Sequence, residues 1–406
     1  MRLRTYFSRC GLVMMTLLFA LAALGCKAQA PGRQSQTTVQ KGEIMSEEIY
    51  PTYFANPRRS SYIPTASNSS GVIDWKTALR LPEGAVPSAV LIWKGSFIVE
   101  TINEVYVYSR DGKFVFRQEK NHGAPLAVAG DFLFTQDRDF WLTAFNAGGD
   151  VSLEQADFPN ANSRDYSVSM FVAGKDDFAA VIQFNGGPEE LEPAIFVEFA
   201  VYGDILPQWQ NRLTGTQSGA PLYIPEIGRI IVFTDEIIPI DAKTGAEQTR
   251  LKFPFTEFYS GSADIDGTLY MTGNEEGKAI LVAMAPDGKE KWRYIIGSAD
   301  KGQLSKQPPV IGAGGLIHVP WGRTLKTIQN GQLVREFTIE ERTIDYCTAL
   351  ADGSVLITAK NTLYRADADG KKIYGLLFDH DITTPPVVDA QGHVYIATAF
   401  ELMRID

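Results

Sequence analysis

Residues 264–295 read DIDGTLYMTGNEEGKAILVAMAPDGKEKWRYI, and the fold prediction starts from this stretch. Two short β-rich runs follow Gly267, and a third run follows Gly288 and carries Trp292. Asp-Gly pairs supply the positive φ angles of tight hairpin turns, and branched and aromatic residues favour strands. The stretch therefore predicts consecutive antiparallel strands joined by tight turns.

Two classes of turn recur from residue 71 onward. The first separates an apolar strand from a second β-rich strand and occurs eight times, 35 to 51 residues apart, at Gly95, Gly130, Asp177, Gly228, Gly267, Gly315, Gly353 and Gly392. The second follows a third strand and occurs seven times, at Gly112, Gly149, Gly203, Gly245, Gly288, Gly331 and Gly370. A repeat of about 40 residues with four strands in each unit is typical of a β-propeller.

The first class has one turn more than the second, and this difference predicts how the two ends of the chain close the array of sheets. The final residues 402–406 match the strand that precedes a second-class turn, so the last unit lacks its outer strand. Residues 72–77, VIDWKT, have the character of that strand, with Trp75 in the place of Trp292. We therefore predict an all-β, eight-bladed β-propeller of four-stranded antiparallel blades, closed by an N-terminal strand that completes the last blade. Seven blades with an irregular insertion at 158–213 remain the alternative.

The N-terminus has the features of an export signal. Arg2, Arg4 and Arg9 precede an apolar run at 11–24, which is shorter than the roughly 20 residues of a membrane span. The ending Ala22-Ala23-Leu24-Gly25-Cys26 resembles a bacterial lipobox, which implies a signal peptide at 1–25 and lipidation of Cys26. A plain secretory signal cut after Ala28 or Ala30 is the alternative. Residues 26–70 are rich in Gln, Ser, Thr, Asn and Pro, and we expect a flexible tether before a propeller at 71–406.

Charge and cysteine content limit the classes of partner and the disulfides that we expect. The formal charge is −10, and loss of the three signal arginines gives −10 − 3 = −13, so a phosphate backbone is repelled and no nucleic-acid partner is expected. Removal of Cys10 and lipidation of Cys26 leave Cys347 alone, so no internal disulfide is predicted. Cys347 is expected to be a small buried residue.

The sequence yields no catalytic residues and no metal ligands. Its four histidines, His122, His318, His380 and His393, show no His-x-x-x-His spacing. His380 lies between Asp379 and Asp381, where a metal or acid–base role is the alternative to a solvated loop. Glu189, Glu190 and Glu192 form an acidic loop inside the irregular third unit, and a solvated loop is the alternative to a role in binding. They are the candidate partner-binding loop, because a basic partner surface would complement them.

Two segments resemble the PQQ-like, quinoprotein-type propeller repeat. They are Asp241-Ala242-Lys243-Thr244-Gly245 and Asp287-Gly288-Lys289-Glu290-Lys291-Trp292, and the resemblance covers residues 71–406. A lipobox followed by repeats of this type is similar to the pattern of the BamB lipoprotein family. That resemblance implies a non-catalytic, protein-binding scaffold without a cofactor, anchored in the outer membrane and facing the periplasm. The implied partners are envelope proteins, among them the machinery that assembles outer-membrane β-barrel proteins. The tether is longer and the repeats are more degenerate than that family leads one to expect.

Two other functions stay open. A PQQ-dependent or other periplasmic propeller enzyme would use the central funnel, although the vicinal cysteine pair characteristic of quinoprotein dehydrogenases is absent from the sequence. A surface module that binds glycans through funnel aromatics is the other alternative.

Overall fold

The computed structural model describes residues 61–120, 122, 126–129, 132–136, 142–146, 148–155, 166–172, 177–184, 195–202, 204–212, 219–299, 307–341 and 343–406. For residues 151–212 it describes the backbone only. The strands of these ranges form eight sheets, which we number 1 to 8 along the chain.

Two strands precede sheet 1, namely β1 (Tyr62–Ile63) and β2 (Ile73–Ala78). Sheet 1 contains β3 (Pro87–Trp93), β4 (Ser96–Thr101), β5 (Glu104–Tyr108) and β6 (Phe114–Glu119). Sheet 2 contains β7 (Ala127–Ala129), β8 (Phe132–Gln136), β9 (Leu142–Phe145) and β10 (Val151–Gln155). Sheet 3 contains β11 (Tyr166–Val172), β12 (Asp177–Phe184), β13 (Ile195–Tyr202) and β14 (Asp204–Arg212). Sheet 4 contains β15 (Leu222–Ile224), β16 (Arg229–Phe233) and β17 (Ile237–Asp241).

The second half repeats this plan. Sheet 5 contains β18 (Glu257–Ala263), β19 (Leu269–Glu275), β20 (Lys278–Met284) and β21 (Glu290–Ser298). Sheet 6 contains β22 (Val310–Ile311), β23 (Ile317–Trp321), β24 (Thr324–Gln329) and β25 (Gln332–Thr338). Sheet 7 contains β26 (Tyr346–Leu350), β27 (Val355–Ala359), β28 (Thr362–Ala366) and β29 (Lys372–Leu377), and sheet 8 contains β30 (Val387–Val388), β31 (Val394–Ala397) and β32 (Glu401–Ile405). Two 3₁₀ turns, Pro225–Ile227 and Ala313–Gly315, complete the described elements.

Sheet 5 shows why the sequence forms these strands. The apolar run of β20 is buried on both faces, apart from Lys278 at its start. The outer strand β21 alternates between exposed and half-buried residues. This alternation turns Trp292 and Tyr294 toward the buried apolar cluster that joins sheets 5 and 6. The predicted all-β class and the repeated four-stranded antiparallel sheets are confirmed.

Sheet 4 departs from the pattern at its outer strand. Residues 247 and 251 reach β17 only through isolated bridges to Ile240 and Ile237. Pro239 lies between these two bridges and has no N–H to donate, although its carbonyl accepts a hydrogen bond from the Gln248 N–H at 2.8 Å. The proline therefore interrupts the ladder where the sequence predicts a fourth strand.

Neighbouring sheets share their cores. Apolar clusters join sheet 1 to 2, sheet 4 to 5, sheet 5 to 6 and sheet 6 to 7, and the first strand of sheet 3, β11, lies against both β7 and β15. The largest of the clusters formed by described residues joins sheets 7, 8 and 1. Hydroxyl groups add links between first strands, since Ser262 Oγ donates to the Pro309 carbonyl at 2.7 Å and Thr348 Oγ1 to the Pro386 carbonyl at 2.9 Å.

The N-terminal strand pairs with the C-terminal strand. β2 lies antiparallel beside β32, with Lys76 opposite Met403 and Ala78 opposite Glu401. Sheet 8 consequently has the strand order β2-β32-β31-β30. The Trp75 ring lies 5.9 Å from Phe97 of sheet 1 and 6.2 Å from Tyr395 of sheet 8, so its indole joins these two sheets.

The segment at 61–70 differs from the expected flexible tether. β1 pairs with β26, and Ile63, Ser67 and Ser69 are buried. The Arg365 guanidinium donates hydrogen bonds to the carbonyls of Ser67 at 2.7 Å and Ser69 at 2.9 Å. The polar composition that predicts disorder is satisfied here by hydrogen bonds to the body, so the tether boundary predicted at residue 70 is too late. The predicted signal peptide and residues 26–60 lie outside the described residues.

Candidate functional site

Each sheet has two different ends. At the end that we call the turn end, the first strand joins the second and the third joins the outer strand. Both classes of glycine turn lie there, and Gly95, Gly112, Gly267 and Gly288 have the positive φ angles that the sequence predicts. At the opposite end, the linker end, the second strand joins the third and the outer strand passes to the next sheet. The linker-end segments do not repeat in sequence, and binding residues usually lie on such variable loops.

A group of exposed apolar side chains lies at the linker end of sheets 7, 8 and 1. It consists of Val86, Ile102, Leu377 and Phe400, with exposed fractions of 49%, 50%, 75% and 58%. We call these four residues the linker-end patch. Exposed apolar side chains that are grouped at one end of adjacent sheets are candidates for an interaction site.

The backbone fixes the positions of the patch residues. Pro87 pairs with Thr101, so Val86 and Ile102 are neighbours just beyond the paired region of β3 and β4. Phe400 lies in the turn between β31 and β32, where its N–H donates to Thr398 Oγ1 at 3.2 Å. Its carbonyl accepts a hydrogen bond from the Leu79 N–H at 2.7 Å. A turn held by these two bonds keeps the phenyl ring at the surface.

His380 belongs to the surroundings of this patch. Its ring centroid lies 4.4 Å from that of Phe400, in the linker from sheet 7 to sheet 8. Among the described residues, no group of three His, Cys, Asp or Glu side chains is placed to bind a metal ion. The structure therefore gives His380 an aromatic neighbour.

Acidic groups lie at the linker end of sheet 7, the sheet that also carries Leu377. Asp345 accepts a hydrogen bond from the Lys360 N–H at 2.6 Å. Burial raises the pKa of the Asp345 carboxyl, and the charges of Asp381 and Glu341 add to that effect. Glu341 also accepts a hydrogen bond from the Tyr364 hydroxyl at 2.8 Å. A linker end that carries both exposed apolar side chains and carboxylates suits a partner surface that is apolar in one part and basic in another.

The remaining histidines are separate from one another. His122 Nδ1 lies 3.0 Å from Asn103 Oδ1 at the linker end of sheet 1. His393 lies at the turn end of sheet 8, with Nδ1 2.7 Å from Asp389 Oδ2. Asp389 is buried and also accepts hydrogen bonds from the Gln391 N–H and the Tyr395 hydroxyl. The carboxylate thus holds the first turn of sheet 8 in place.

His318 is buried inside sheet 6. Its Nδ1 lies 3.0 Å from Thr327 Oγ1, and burial lowers the pKa of the imidazole to about 3, with Arg335 contributing in the same direction. In the unfolded chain the imidazole of His318 therefore takes up a proton near pH 6.5, whereas in the folded chain it does so only near pH 3. The contribution of the neutral imidazole to the free energy of unfolding is fully present above pH 6.5, and it is lost as the pH falls from 6.5 toward 3.

Replacement of His318 by glutamine should flatten this acid dependence. Between pH 6 and pH 4, the free energy of unfolding of the wild type should fall more steeply than that of His318→Gln. The difference in slope should be up to about 1.4 kcal/mol for each pH unit. Urea unfolding followed by circular dichroism at several pH values measures the difference. Parallel pH profiles of the two proteins would contradict a neutral buried imidazole.

Cys347 is buried, as the sequence predicts. Burial raises the pKa of its thiol well above the usual range, so a reactive thiolate is disfavoured. Cys26 and the acidic loop with Glu189, Glu190 and Glu192 lie outside the described residues and stay predictions.

The linker-end patch was missed by the sequence reasoning. Val86 and Ile102 lie next to strands and Leu377 ends β29, so all three look like ordinary strand residues in the sequence. Phe400 offers a usable signal, because an aromatic residue occupies a tight hairpin turn where Gly, Asn or Asp is usual.

Among the residues that the structure describes, no helix has the length and apolar character needed to traverse a bilayer. A scan against models of protein families gives no match, and no curated protein matches in sequence.

Solved structures do resemble the chain. A quinohemoprotein alcohol dehydrogenase from Comamonas testosteroni aligns with a TM-score of 0.63 at 11% identity, over 88% of this chain and 80% of that chain. A quinohemoprotein alcohol dehydrogenase from Pseudomonas putida HK5 aligns with a TM-score of 0.65 at 11% identity, over the same shares. BamB from Moraxella catarrhalis aligns with a TM-score of 0.52 at 13% identity, over 82% of this chain and 97% of that chain. At these identities the likeness concerns the fold alone, and it confirms the PQQ-like, BamB-like β-propeller that the repeats predict.

Proposed function

We propose that this chain is a lipid-anchored protein of the bacterial envelope that acts as a non-catalytic, protein-binding scaffold. The linker-end patch is the observation that carries the proposal, because its four exposed apolar residues lie at the same end of three neighbouring sheets. The acidic groups at the linker end of sheet 7 favour a partner with a basic region. The resemblance to the BamB family favours a partner in outer-membrane β-barrel assembly, and the predicted lipidation of Cys26 supports attachment to the outer membrane.

The scaffold that we propose is an eight-bladed propeller closed by β2. The pairing of β2 with β32 supports closure, since it joins the first long strand to the last sheet. The cluster shared by sheets 7, 8 and 1 supports it as well. A closed array leaves no sheet face without a neighbour, which suits a body that presents one end to a partner.

A test of the patch replaces its most exposed residues. In intact envelopes, Leu377→Asp and Phe400→Asp should each reduce crosslinking of the protein to its main partner by at least about tenfold, because a charge in the centre of an apolar interface is costly. Ile265→Asp is the matched control, since Ile265 is a turn-end residue with 48% exposure. Partner recovery that is equal in all three variants would contradict the patch as the docking surface.

A quinone-dependent enzyme is the second candidate, favoured by the likeness to the two quinohemoprotein alcohol dehydrogenases. The described residues fit such a cofactor poorly, because they hold no group of three acidic, His or Cys side chains that would bind the accompanying metal. The sequence also has no adjacent cysteines. Dye reduction by the purified protein with added PQQ and calcium would favour the enzyme over the scaffold.

A further inference from the structure

Sheet 7 carries an extra strand on the edge formed by its first strand. In the other described sheets the first strand ends the sheet, whereas sheet 7 has the order β1-β26-β27-β28-β29. β1 runs parallel to β26, with Tyr62 opposite Ala349 and Ile63 opposite Leu350. The Ala349 N–H donates to the Ser61 carbonyl at 3.0 Å, and the Ala351 N–H donates to the Thr65 carbonyl at 3.3 Å. Residues 61–65 thus extend this sheet by β-strand addition.

The side chain of Gln307 occupies the rest of the same edge. Its Nε2 donates to the Cys347 carbonyl at 2.5 Å, and its Oε1 accepts from the Cys347 N–H at 2.7 Å. The Nε2 also lies 3.3 Å from Ser61 Oγ. The Gln307 amide therefore pairs with the N–H and carbonyl of Cys347 as a peptide unit of a neighbouring strand would. It lies next to Ser61, at the start of residues 61–65.

The self-pairing of the described residues involves one short strand. Tyr62 and Ile63 pair with Ala349 and Leu350 of β26, and Pro64, one register position further, has no N–H to donate. Ile63 is fully buried in the cluster of sheets 7, 8 and 1, so one apolar anchor accompanies these few backbone bonds.

The chain beyond Pro64 is seated on the turn end of sheets 7 and 8. Arg365 binds the carbonyls of Ser67 and Ser69, and Ser67 Oγ donates to the Gly392 carbonyl at 2.9 Å. A Cβ at Gly392 would lie 2.7 Å from the Ala66 carbonyl oxygen, so a glycine is needed for this close approach. These contacts keep residues 61–65 beside their edge at a high effective concentration.

We propose that the first-strand edge of sheet 7 is a binding site for an extended peptide, and that the chain occupies it with its own residues 61–65. The fitting ligand is a segment with a branched aliphatic side chain at the position of Ile63 and a small polar residue two places earlier. A partner's extended segment would compete with the chain's own residues. This site lies on sheet 7 and is distinct from the linker-end patch, so its failure would leave the scaffold proposal untouched.

The test adds the segment in trans. A fluorescent peptide with the sequence of residues 61–67, SYIPTAS, is titrated against the chain of residues 27–406 and followed by fluorescence anisotropy. Ile63→Asp in the chain should empty the edge, because a buried carboxylate is costly there, while β2 still pairs with β32. This variant should bind the peptide at least about tenfold more tightly than the wild type, since the internal competitor is lost.

Two controls make the result decisive. Val72→Asp places the same charge at a residue with 61% exposure, and that variant should bind the peptide no better than the wild type. A peptide carrying the Ile63→Asp change should not bind any of the proteins. If Ile63→Asp does not fold, Ile63→Ala replaces it, with a smaller gain expected in the same direction. A folded variant with an emptied edge that does not bind the peptide, or equal binding by all proteins, would overturn the proposal.

Discussion

A chain that begins at residue 80 is expected to lose most of its stability. It lacks β2, so the outer edge of β32 is bare and the contacts of Trp75 with Phe97 and Tyr395 are lost. Removal of a packed tryptophan side chain alone costs about 3–5 kcal/mol, and each lost backbone hydrogen bond adds about 1 kcal/mol. The sum approaches the roughly 5–15 kcal/mol by which a folded domain is stable.

Circular dichroism and size-exclusion chromatography measure this prediction. The shortened chain should be unfolded, or should associate through the bare edge of β32. A chain that begins at residue 61 is the matched control, and it should unfold at the same urea concentration as the chain of residues 27–406. A chain beginning at residue 80 that keeps the wild-type urea midpoint would show that β2 does not close sheet 8.

Replacement of Lys120 by methionine is expected to give the largest loss for a single side chain. Lys120 Nζ lies 3.0 Å from Glu100 Oε1, and their side chains are 1% and 12% exposed. Removal of one partner of a buried ion pair leaves the other charge uncompensated and typically costs about 3–5 kcal/mol. Urea unfolding followed by tryptophan fluorescence measures the loss.

The pH dependence of this loss identifies its cause. Burial raises the pKa of the Glu100 carboxyl even with Lys120 present, and loss of Lys120 raises it further. A carboxyl with a raised folded pKa binds its proton more readily in the folded chain than in the unfolded one. The deficit of Lys120→Met should therefore be smallest near the usual glutamate pKa of 4.5 and should grow as the pH rises above it.

An exposed ion pair provides the control for Lys120. Lys289 Nζ lies 2.9 Å from Asp287 Oδ2, with both side chains largely exposed, so Lys289→Met should leave the urea midpoint almost unchanged. The double variant Glu100→Gln/Lys120→Met should recover part of the loss, because it removes the uncompensated charge. A deficit of Lys120→Met that does not vary with pH would indicate lost packing and not an uncompensated carboxylate.

The fold was predictable because turn chemistry and burial repeat along the chain. Gly267 and Gly288 need positive φ angles, and the apolar run of β20 needs burial on both faces, so local sequence and global fold agree. The pairing of Trp75 with the last sheet was also predictable, since an outer strand was missing at one end and present at the other.

The candidate site was far less predictable from the sequence, because it depends on contacts between residues that are far apart along the chain. The exposure of Leu377 and Phe400 depends on where neighbouring linkers leave the surface open, which no local pattern records. The docking of residues 61–70 depends on Arg365, which is almost 300 residues away along the chain and binds their carbonyls. A polar segment whose hydrogen-bond partners are distant resembles a disordered one in composition.

A disulfide between β2 and the last strand, β32, tests the central claim most directly. Ala78 and Glu401 lie directly opposite each other in β2 and β32 and are at least partly exposed, and Cys347 is buried. In the chain of residues 27–406 carrying Ala78→Cys and Glu401→Cys, mild oxidation should join the two thiols within one molecule. Denaturing electrophoresis without reductant should then show a faster band that disappears on reduction. Two reactive thiols that remain free after oxidation would contradict closure of the last sheet by the N-terminal strand.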